Sequence, residues 1–413
     1  MREDIGMQVR RIKDNELKRT TELFGIAFEF PIDNAKSSEE VANDARNNPQ
    51  GRGDVYLNEK WAAFDDNDNM MAFIAATPYD VNFDGNTVKM TGIGGVSTLP
   101  QYRRNGAIRE CFNVSLKDAF ENDYTLSYLY PFSTGYYGKF GYELCGEVIH
   151  YYINLKSIKR FDEADGQVYL VEQGSHLDDV KKVYDEFAEG YNLMCKRDDI
   201  DYNFIKNANP AKDQNYIYVY KDKNNIAKGV MSFQKVNNNG HFDMQCKHFY
   251  FSDMEGLKGL LNHTLAFASY YEHVIFKLPL NINITSYIPE WALYSYKRES
   301  YFNGMVRVIN VEKALMLAKY RCTGSLIMKI EDKQIEQNNH TFEVCFENGK
   351  ATSVEITEKP FDIGMTINDF SRLIIGTHAP EEFKYIERLQ INTDVDTLGK
   401  VFYKKLNFIA DYF

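Results

Sequence analysis

The sequence lacks the marks of secreted, membrane-spanning and nucleic-acid-binding proteins. Six cysteines are spread over 413 residues, at positions 111, 145, 195, 246, 322 and 345, and none forms a C-x-x-C pair. Such scattered cysteines in apolar or strand-like surroundings read as reduced core residues. Nowhere do 18 apolar residues run together, and the opening MREDIGMQVRRIKDNE has no apolar signal core. Neither a spanning helix nor export is therefore expected, which places the protein in the cytoplasm with no membrane partner. Basic residues are in the minority, with 48 Lys and Arg against 59 Asp and Glu and a net charge of −11. Phosphate contacts need clustered cations, so no nucleic acid is expected either. There is no Gly-x-Ser-x-Gly elbow, P-loop or HExxH motif, which leaves serine hydrolysis, nucleotide hydrolysis and zinc proteolysis without support. His241, Cys246 and His248 are close in sequence, but their separations do not put all three on one strand face and no fourth ligand is apparent. No metal site is expected.

What is abundant is aromatic. The 29 Tyr and 28 Phe make an aromatic share of 14%, compatible with large aromatic-lined cores or pockets. A chain of this length holds two to four domains at roughly 100–200 residues each, and three are expected. Apolar spacing predicts a first helix over Asn15–Phe28, stopped by Pro31. Strand pieces at Val55–Leu57 and Trp61–Phe64 follow, then Met70–Thr77, Tyr79–Phe83 and Thr87–Thr98, an antiparallel meander. A helix from Ala107 to about Glu121 and a strand over Tyr124–Tyr130 come next, with two strand-like segments ending near Leu155. A similar order recurs more weakly from Gln167 to Leu278, with helices at Leu177–Tyr191 and Met254–Tyr270. A third unit begins near Met305, with strands Ser325–Glu331, His340–Phe346 and Thr352–Ile356 and helices Thr366–Leu373 and Ala379–Leu389. The tail Val395–Phe413 is apolar for a chain end, which suggests that it is docked.

Chemistry concentrates between Val96 and Arg109. Val96, Ser97 and Thr98 end a strand, Arg103, Arg104 and Asn105 form a short basic loop, and Gly106, Ala107, Ile108 and Arg109 open a helix. A helix start offers unpaired N–H groups and the positive end of the dipole, so a pyrophosphate is held there with little side-chain help. Gly106 lets backbone approach phosphate, and the arginines add charge-assisted contacts. Gly92, Gly94 and Gly95, late in the preceding strand, suggest a bulge that splays it from its neighbour and opens a slot. They are no dinucleotide fingerprint, because Ser97 stands where the third glycine belongs.

The pattern Arg103-x-x-Gly106-x-Ile108 resembles the cofactor loop of the GNAT acetyltransferases, in which Gly or Ala usually stands at the position of Ile108. The longer run from Val96 to Gly106, with Leu129-Tyr130-Pro131-Phe132 and Tyr137-Gly138-Lys139-Phe140-Gly141-Tyr142, is similar to the enhanced-intracellular-survival (Eis) branch of that superfamily. The segment from Gly304 to Leu315 and the aromatic C-terminus resemble the same branch. The resemblance implies a mixed α/β and α+β fold: two tandem GNAT-like domains, each a mostly antiparallel mixed sheet flanked by helices, at 1–150 and 151–299. A sterol-carrier-like α+β domain at 300–413 follows, and the whole is implied to assemble as a homohexamer.

By the same resemblance, acetyl-CoA would lie on Val96, Ser97, Thr98 and residues 103–109, with further contacts from Phe132 and Ser133. Only the first domain would bind it, since Ser252-Asp253-Met254-Glu255 puts acid at the corresponding helix start of the second. An alkyl amine titrates near ~10.4, so acetylation needs a base. The α-carboxylate of Phe413 is implied in that role, directly or through water. A backbone N–H of the splayed strand, that of Thr98, would meet the oxyanion, and Tyr137 would protonate the leaving thiolate. Net acidity and aromatic richness favour a small cationic amine, an aminoglycoside, polyamine or lysine side chain, with Phe28 and Glu29 as candidate contacts. Two further readings are a lipid or hydrophobic-ligand carrier with vestigial transferase domains and a transferase of longer acyl chains.

Overall fold

The computed structural model describes residues 6–32, 35–288, 295–378, 380–385 and 388–413. Packing divides them into two units, one drawn from Met1–Gly146, Gly304–Lys405 and Ile409–Phe413, the other from Glu147–Asn303 and Leu406–Phe408.

In the first unit the larger sheet runs Gln8–Arg11, Lys60–Phe64, Met70–Phe83, Asn86–Thr98, Leu126–Leu129, Met305–Val308, Glu143–Leu144. The first four strands form the expected antiparallel meander, while Asn86–Thr98 and Leu126–Leu129 pair in parallel. A parallel pair needs a crossover, and helix Ala107–Glu121 supplies it. Its buried Ala107, Ile108, Cys111, Phe112, Leu116 and Ala119 recur at helical spacing and join Trp61, Ala63 and Ile74 of the sheet in one cluster. The alternate residues Ala62, Phe64 and Phe73 face the opposite side, where they pack with Leu17 and Leu23 of helix Leu17–Phe28. Both faces of this sheet are thus covered.

Several local expectations change. Val55, read as strand, ends a helical turn over Arg52–Val55, and Met70–Phe83 is one unbroken strand. The glycine-rich aromatic stretch folds as a helical turn, Thr134–Tyr137, followed by a 3-10 turn, Gly138–Phe140. Strand Glu147–Asn154 pairs in the second unit with His273–Pro279, although sequence order alone attaches it to the first meander. In the first sheet the corresponding place beside Leu126–Leu129 is taken by Met305–Val308. Chain proximity favours neighbours, but pairing is decided by which apolar faces meet.

The rest of the first unit is a smaller sheet in the order Lys350–Ile356, Thr341–Glu347, Gly324–Glu331, Ile363–Thr366, Gln390–Ile391. Helix Ile367–Ile375 packs on it and on strand Met305–Val308, where the Ser371 hydroxyl accepts from the Val308 N–H at 2.9 Å. The helix expected over Ala379–Leu389 is a 3-10 stretch, Pro380–Tyr385; Ala379, Ile386 and Glu387 lie outside the described residues.

The second unit's sheet runs Tyr296–Phe302, Glu147–Asn154, His273–Pro279, His241–Phe251, Ala227–Asn238, Tyr216–Lys221, Gln167–Leu170. The order of the first unit recurs: an antiparallel run, helix Met254–Leu265, then a parallel strand. Cys111, Cys145 and Cys195 are buried as expected, whereas Cys246, Cys322 and Cys345 are only half-buried; all six are free thiols.

Candidate active site

Strand Asn86–Thr98 keeps its parallel partner only as far as Ile93, which faces Leu129. Beyond that point, among the described residues, no strand lies beside Gly94–Thr98 on that edge. The bulge falls on the other edge. Ser97 faces Phe73 and Gly94 faces Ala75, so Gly95 and Val96 stand opposite the single residue Ile74. Gly95 has φ of 58°, a left-handed conformation that glycine adopts without steric cost. Ser97 is buried and its hydroxyl has no hydrogen-bond partner, whereas Val96 and Thr98 are half-buried.

Helix Ala107–Glu121 starts beside this open edge. Its N-cap is Gly106, at φ 88°, and no side chain caps it. Arg103, Arg104 and Arg109 are exposed around it, Asn105 is half-buried, and the Arg109 guanidinium folds back to within 3.9 Å of the place a Gly106 Cβ would occupy. An uncapped first turn with the Arg109 guanidinium beside it, in a basic loop, is chemically suited to cradle an anion. Ile108 points into the core beneath, at 7% exposure, so its bulk does not enter the cradle and its N–H remains in the first turn. The second unit differs at the equivalent place. Asp253 caps helix Met254–Leu265 by accepting from the Gly256 N–H at 2.9 Å and pairs with Lys228 at 2.7 Å, so the helix start holds its own anion.

Tyr137 lies on the other flank of helix Ala107–Glu121. Its ring meets Phe112 at 6.1 Å, Phe132 at 5.3 Å and Tyr136 at 5.2 Å, and the residue is 3% exposed. Burial pushes its phenol well above the ordinary range, and the hydroxyl has no hydrogen-bond partner among the described residues. Ser133 caps this turn, its hydroxyl accepting from the Tyr136 N–H at 3.3 Å, and Phe132 beside it is 74% exposed.

The chain ends on the glycines of the splayed strand. A Cβ on Gly92 would come within 2.8 Å of the Phe413 ring, and one on Gly94 within 3.0 Å of the Phe413 main-chain oxygen. The ring is boxed by Tyr79 at 5.1 Å, Tyr130 at 5.6 Å and Tyr128 at 5.8 Å. Tyr130 also stacks on Tyr412 at 4.4 Å, and its hydroxyl donates to the Asp411 carbonyl at 2.6 Å. Phe413 and the loop therefore both border strand Asn86–Thr98.

Phe28 and Glu29 sit elsewhere on the first helix, which packs across that strand. Glu29 closes the helix in a left-handed conformation at φ 59°, and Phe28 belongs to an exposed aromatic corner with Phe24 and Phe30. No hydrogen bond, ion pair or ring contact ties either to Phe413 or to the loop, among the described residues. Sequence reasoning gave no role to Tyr79, Tyr130, Asp84 or Lys405. Tyr130 was visible within Leu129-Tyr130-Pro131-Phe132, but nothing local signals its long-range partner. His241 pairs with Glu272 at 3.3 Å and His248 stacks on Phe204 at 4.6 Å.

Residues 8–145 match the acetyltransferase (GNAT) domain family, and residues 311–409 match the sterol carrier protein domain family. No curated protein matches the sequence. Among solved structures, a conserved protein of unknown function from Enterococcus faecalis V583, described as a probable N-acyltransferase, superposes with TM-score 0.83 at 20% identity, covering 99% of this chain and 100% of its own. A GCN5-related N-acetyltransferase from Anabaena variabilis gives TM-score 0.84 at 18% identity over 99% and 100% of the two chains. Eis1 from Mycobacterium abscessus gives 0.79 at 13% identity, again over 99% and 100%. At these identities the likeness establishes the fold, from end to end of the chain.

Proposed function

The chain joins a GNAT acetyltransferase domain to a sterol carrier protein domain within a fold shared with N-acetyltransferases, and from that premise we propose that it transfers acetyl from acetyl-CoA directly to a primary amine of a small cation or a lysine side chain. One observation carries this reading: an uncapped helix start with Arg109 beside it follows the strand whose edge opens after Ile93, and Phe413 packs on Gly92 and Gly94 of that same strand.

GNAT acetyltransferases take acetyl-CoA as acyl donor, and its bound thioester would supply the acetyl group. The residues at the open edge suit such a ligand, because the first-turn N–H groups of helix Ala107–Glu121 are uncapped and the cations of Arg103, Arg104 and Arg109 are exposed beside them. Asn105, Gly106, Ala107 and Ile108 would present backbone to the pyrophosphate, Val96, Ser97 and Thr98 would flank the pantetheine arm, and Phe132 and Ser133 would border it. The Phe413 carboxylate would accept the ammonium proton, the Thr98 N–H would donate to the developing oxyanion, and the Tyr137 hydroxyl would give its proton to the thiolate sulfur. A phenol with its pKa raised by burial holds that proton throughout the working pH range. Phe28 and Glu29, on an exposed aromatic and acidic corner, would meet the incoming cation.

Division into functional parts at 1–150, 151–299 and 300–413 follows from this reading, with one cofactor site per chain, since Asp253 already fills the second helix start. A homohexamer in the cytoplasm is proposed on the motif resemblance.

Adding one residue after Phe413 tests the centre of the scheme. The longer chain should fold and show the same rise in melting temperature with acetyl-CoA, yet lose polyamine or aminoglycoside acetylation; undiminished turnover would remove the carboxylate from the mechanism. The sterol carrier match favours hydrophobic-ligand transport as the second reading. A melting temperature that rises with fatty acid or sterol and ignores acetyl-CoA would select it.

A further inference from the structure

We propose that Asn368 and Gln334 are positioning residues for the acid of the transfer: their side-chain amides hold the turn that follows Tyr137 and so fix where its phenol stands. The catalytic consequence rests on Tyr137 being that acid.

The turn presents carbonyls that its own backbone does not satisfy. A helical turn over Thr134–Tyr137 runs into a 3-10 turn over Gly138–Phe140 and stops at Gly141, at φ 86°. Carbonyls at such an end lack partners within the helix, and in the interior they need donors from elsewhere. Side chains far along the sequence supply them. Asn368 Nδ2 donates to the Gly138 carbonyl at 2.9 Å and to the Tyr142 carbonyl at 3.3 Å. Gln334 Nε2 donates to the Lys139 carbonyl at 3.0 Å, and Arg307 donates to that of Phe140.

Both amides are themselves fixed. Gln334 Oε1 accepts from Arg307 at 3.0 Å while its Nε2 faces a carbonyl, so only one orientation of the amide satisfies both neighbours. The Gln334 N–H donates to Asp332, the buried partner of Arg307. Asn368 stands in the first turn of helix Ile367–Ile375. That helix start lies so close that a Cβ on Gly141 would come within 2.9 Å of Ile367 Cγ2 and 2.5 Å of the Arg307 guanidinium.

These directional contacts matter because the phenol makes none of its own among the described residues. Its ring is held by Phe112, Phe132 and Tyr136, and apolar contact is non-directional, so it tolerates sliding. Phe112 in turn stacks on Phe140 of the held turn at 4.3 Å. The hydroxyl therefore inherits its place from the turn. Gln334 and Asn368 lie within residues 311–409, the stretch that matches the sterol carrier protein domain family, and share one compact unit with Tyr137. This assigns the stretch a part in acetyl transfer that requires no hydrophobic ligand.

Both side chains are half-buried, so the full chain carrying Gln334→Ala and Asn368→Ala should fold, which its melting temperature checks. Two readouts are taken: amide hydrogen exchange of residues 138–142, and kcat and KM for acetylation of spermine by acetyl-CoA, with Tyr137 intact and with Tyr137→Phe. Exchange should be at least tenfold faster, and kcat should fall at least tenfold with KM for acetyl-CoA changed less than twofold. Added to Tyr137→Phe, the same pair should cause no further loss, since the group it positions is gone. A folded double variant with wild-type exchange and wild-type kcat would overturn the proposal, and so would a full tenfold loss on top of Tyr137→Phe. Tyr137→Phe at the wild-type rate, with faster exchange in the double variant, would reject that acid and uphold the hold on the turn, which keeps the two readings apart. Should the pair not fold, Asn368→Asp keeps the size and turns a carboxylate oxygen toward the Gly138 and Tyr142 carbonyls. It should speed exchange and slow kcat; wild-type values of both would overturn the proposal equally.

Discussion

Arg307 and Asp332 form an ion pair 2.5 Å long in which neither side chain reaches solvent. Arg307 stands on the strand of the larger sheet that lies between Leu126–Leu129 and Glu143–Leu144, and it also donates to the Phe140 carbonyl and, at 3.0 Å, to Gln334 Oε1. Asp332 accepts in addition from Asn338 Nδ2 and from the Gln334 N–H, each at 2.9 Å. One pair of charges thus ties the larger sheet of the first unit to the turn after strand Gly324–Glu331 of its smaller sheet and holds the turn that follows Tyr137. Removing one partner leaves the other charged and desolvated, so Asp332→Ala should cost about 3–5 kcal/mol in urea unfolding. Glu299→Ala, which breaks the exposed pair with Lys297, should cost less than about 1 kcal/mol. Equal losses in the two variants would contradict this account.

Gly92→Ala tests the seat of the chain end. The added methyl would lie 2.8 to 2.9 Å from three atoms of Phe413, so the tail must shift. A displacement near ~1 Å of a reacting group costs about 100-fold in rate. Amine acetylation should drop by about that factor in kcat/KM while acetyl-CoA still raises the melting temperature. Gly53→Ala meets nothing within 4 Å and should behave as wild type. A Gly92→Ala enzyme at full rate would argue that the ring position is irrelevant to turnover.

The cradle at Gly106 and the seat at Gly92 differ in how far the sequence alone could reveal them. A basic loop before a helical pattern is a local signal, and the residues from Arg103 to Arg109 fold where spacing predicts. The same holds for the meander and for the acid at Asp253, because turn residues and apolar periodicity act over short range. Even Ile108, off the family pattern, becomes ordinary once its side chain is seen to face the core. Pairings across hundreds of residues were not legible. Nothing near Asp84 announces Lys405, and nothing in Glu147–Asn154 announces that it pairs with His273–Pro279 while Met305–Val308 fills the matching place in the first sheet. A lysine or aspartate read in sequence is expected at the surface, so buried charge pairs are hidden from composition and pattern alike.

Arg103→Ala combined with Arg104→Ala should weaken acetyl-CoA binding about tenfold, the loss of one or two charge-assisted contacts at an exposed site. The deficit should shrink as salt is raised, because exposed charges are screened. Calorimetric titration at low and high salt measures both effects. Lys228→Ala in the second unit frees Asp253 from its partner and should leave acetyl-CoA affinity unchanged. Wild-type affinity in the double arginine variant at low salt would move the cofactor away from this loop.

His263 makes the second unit sensitive to acid. Its ring packs on Tyr218 at 4.3 Å and Phe267 at 5.2 Å, its Nε2 is buried with no partner, and burial pulls its pKa down to about 4. The unfolded chain takes up a proton near ~6.5, whereas the folded chain resists until about pH 4. Between those values the unfolded state binds more protons, so stability is complete above ~6.5 and falls as pH drops through the window. The loss from this residue should reach about 2–3 kcal/mol at the lower end. His263→Leu removes the titrating group, and its urea midpoint should therefore decline less than wild type between pH ~7 and pH ~4.5. If both proteins lose the same amount, the acid sensitivity arises from carboxylates and not from this buried imidazole.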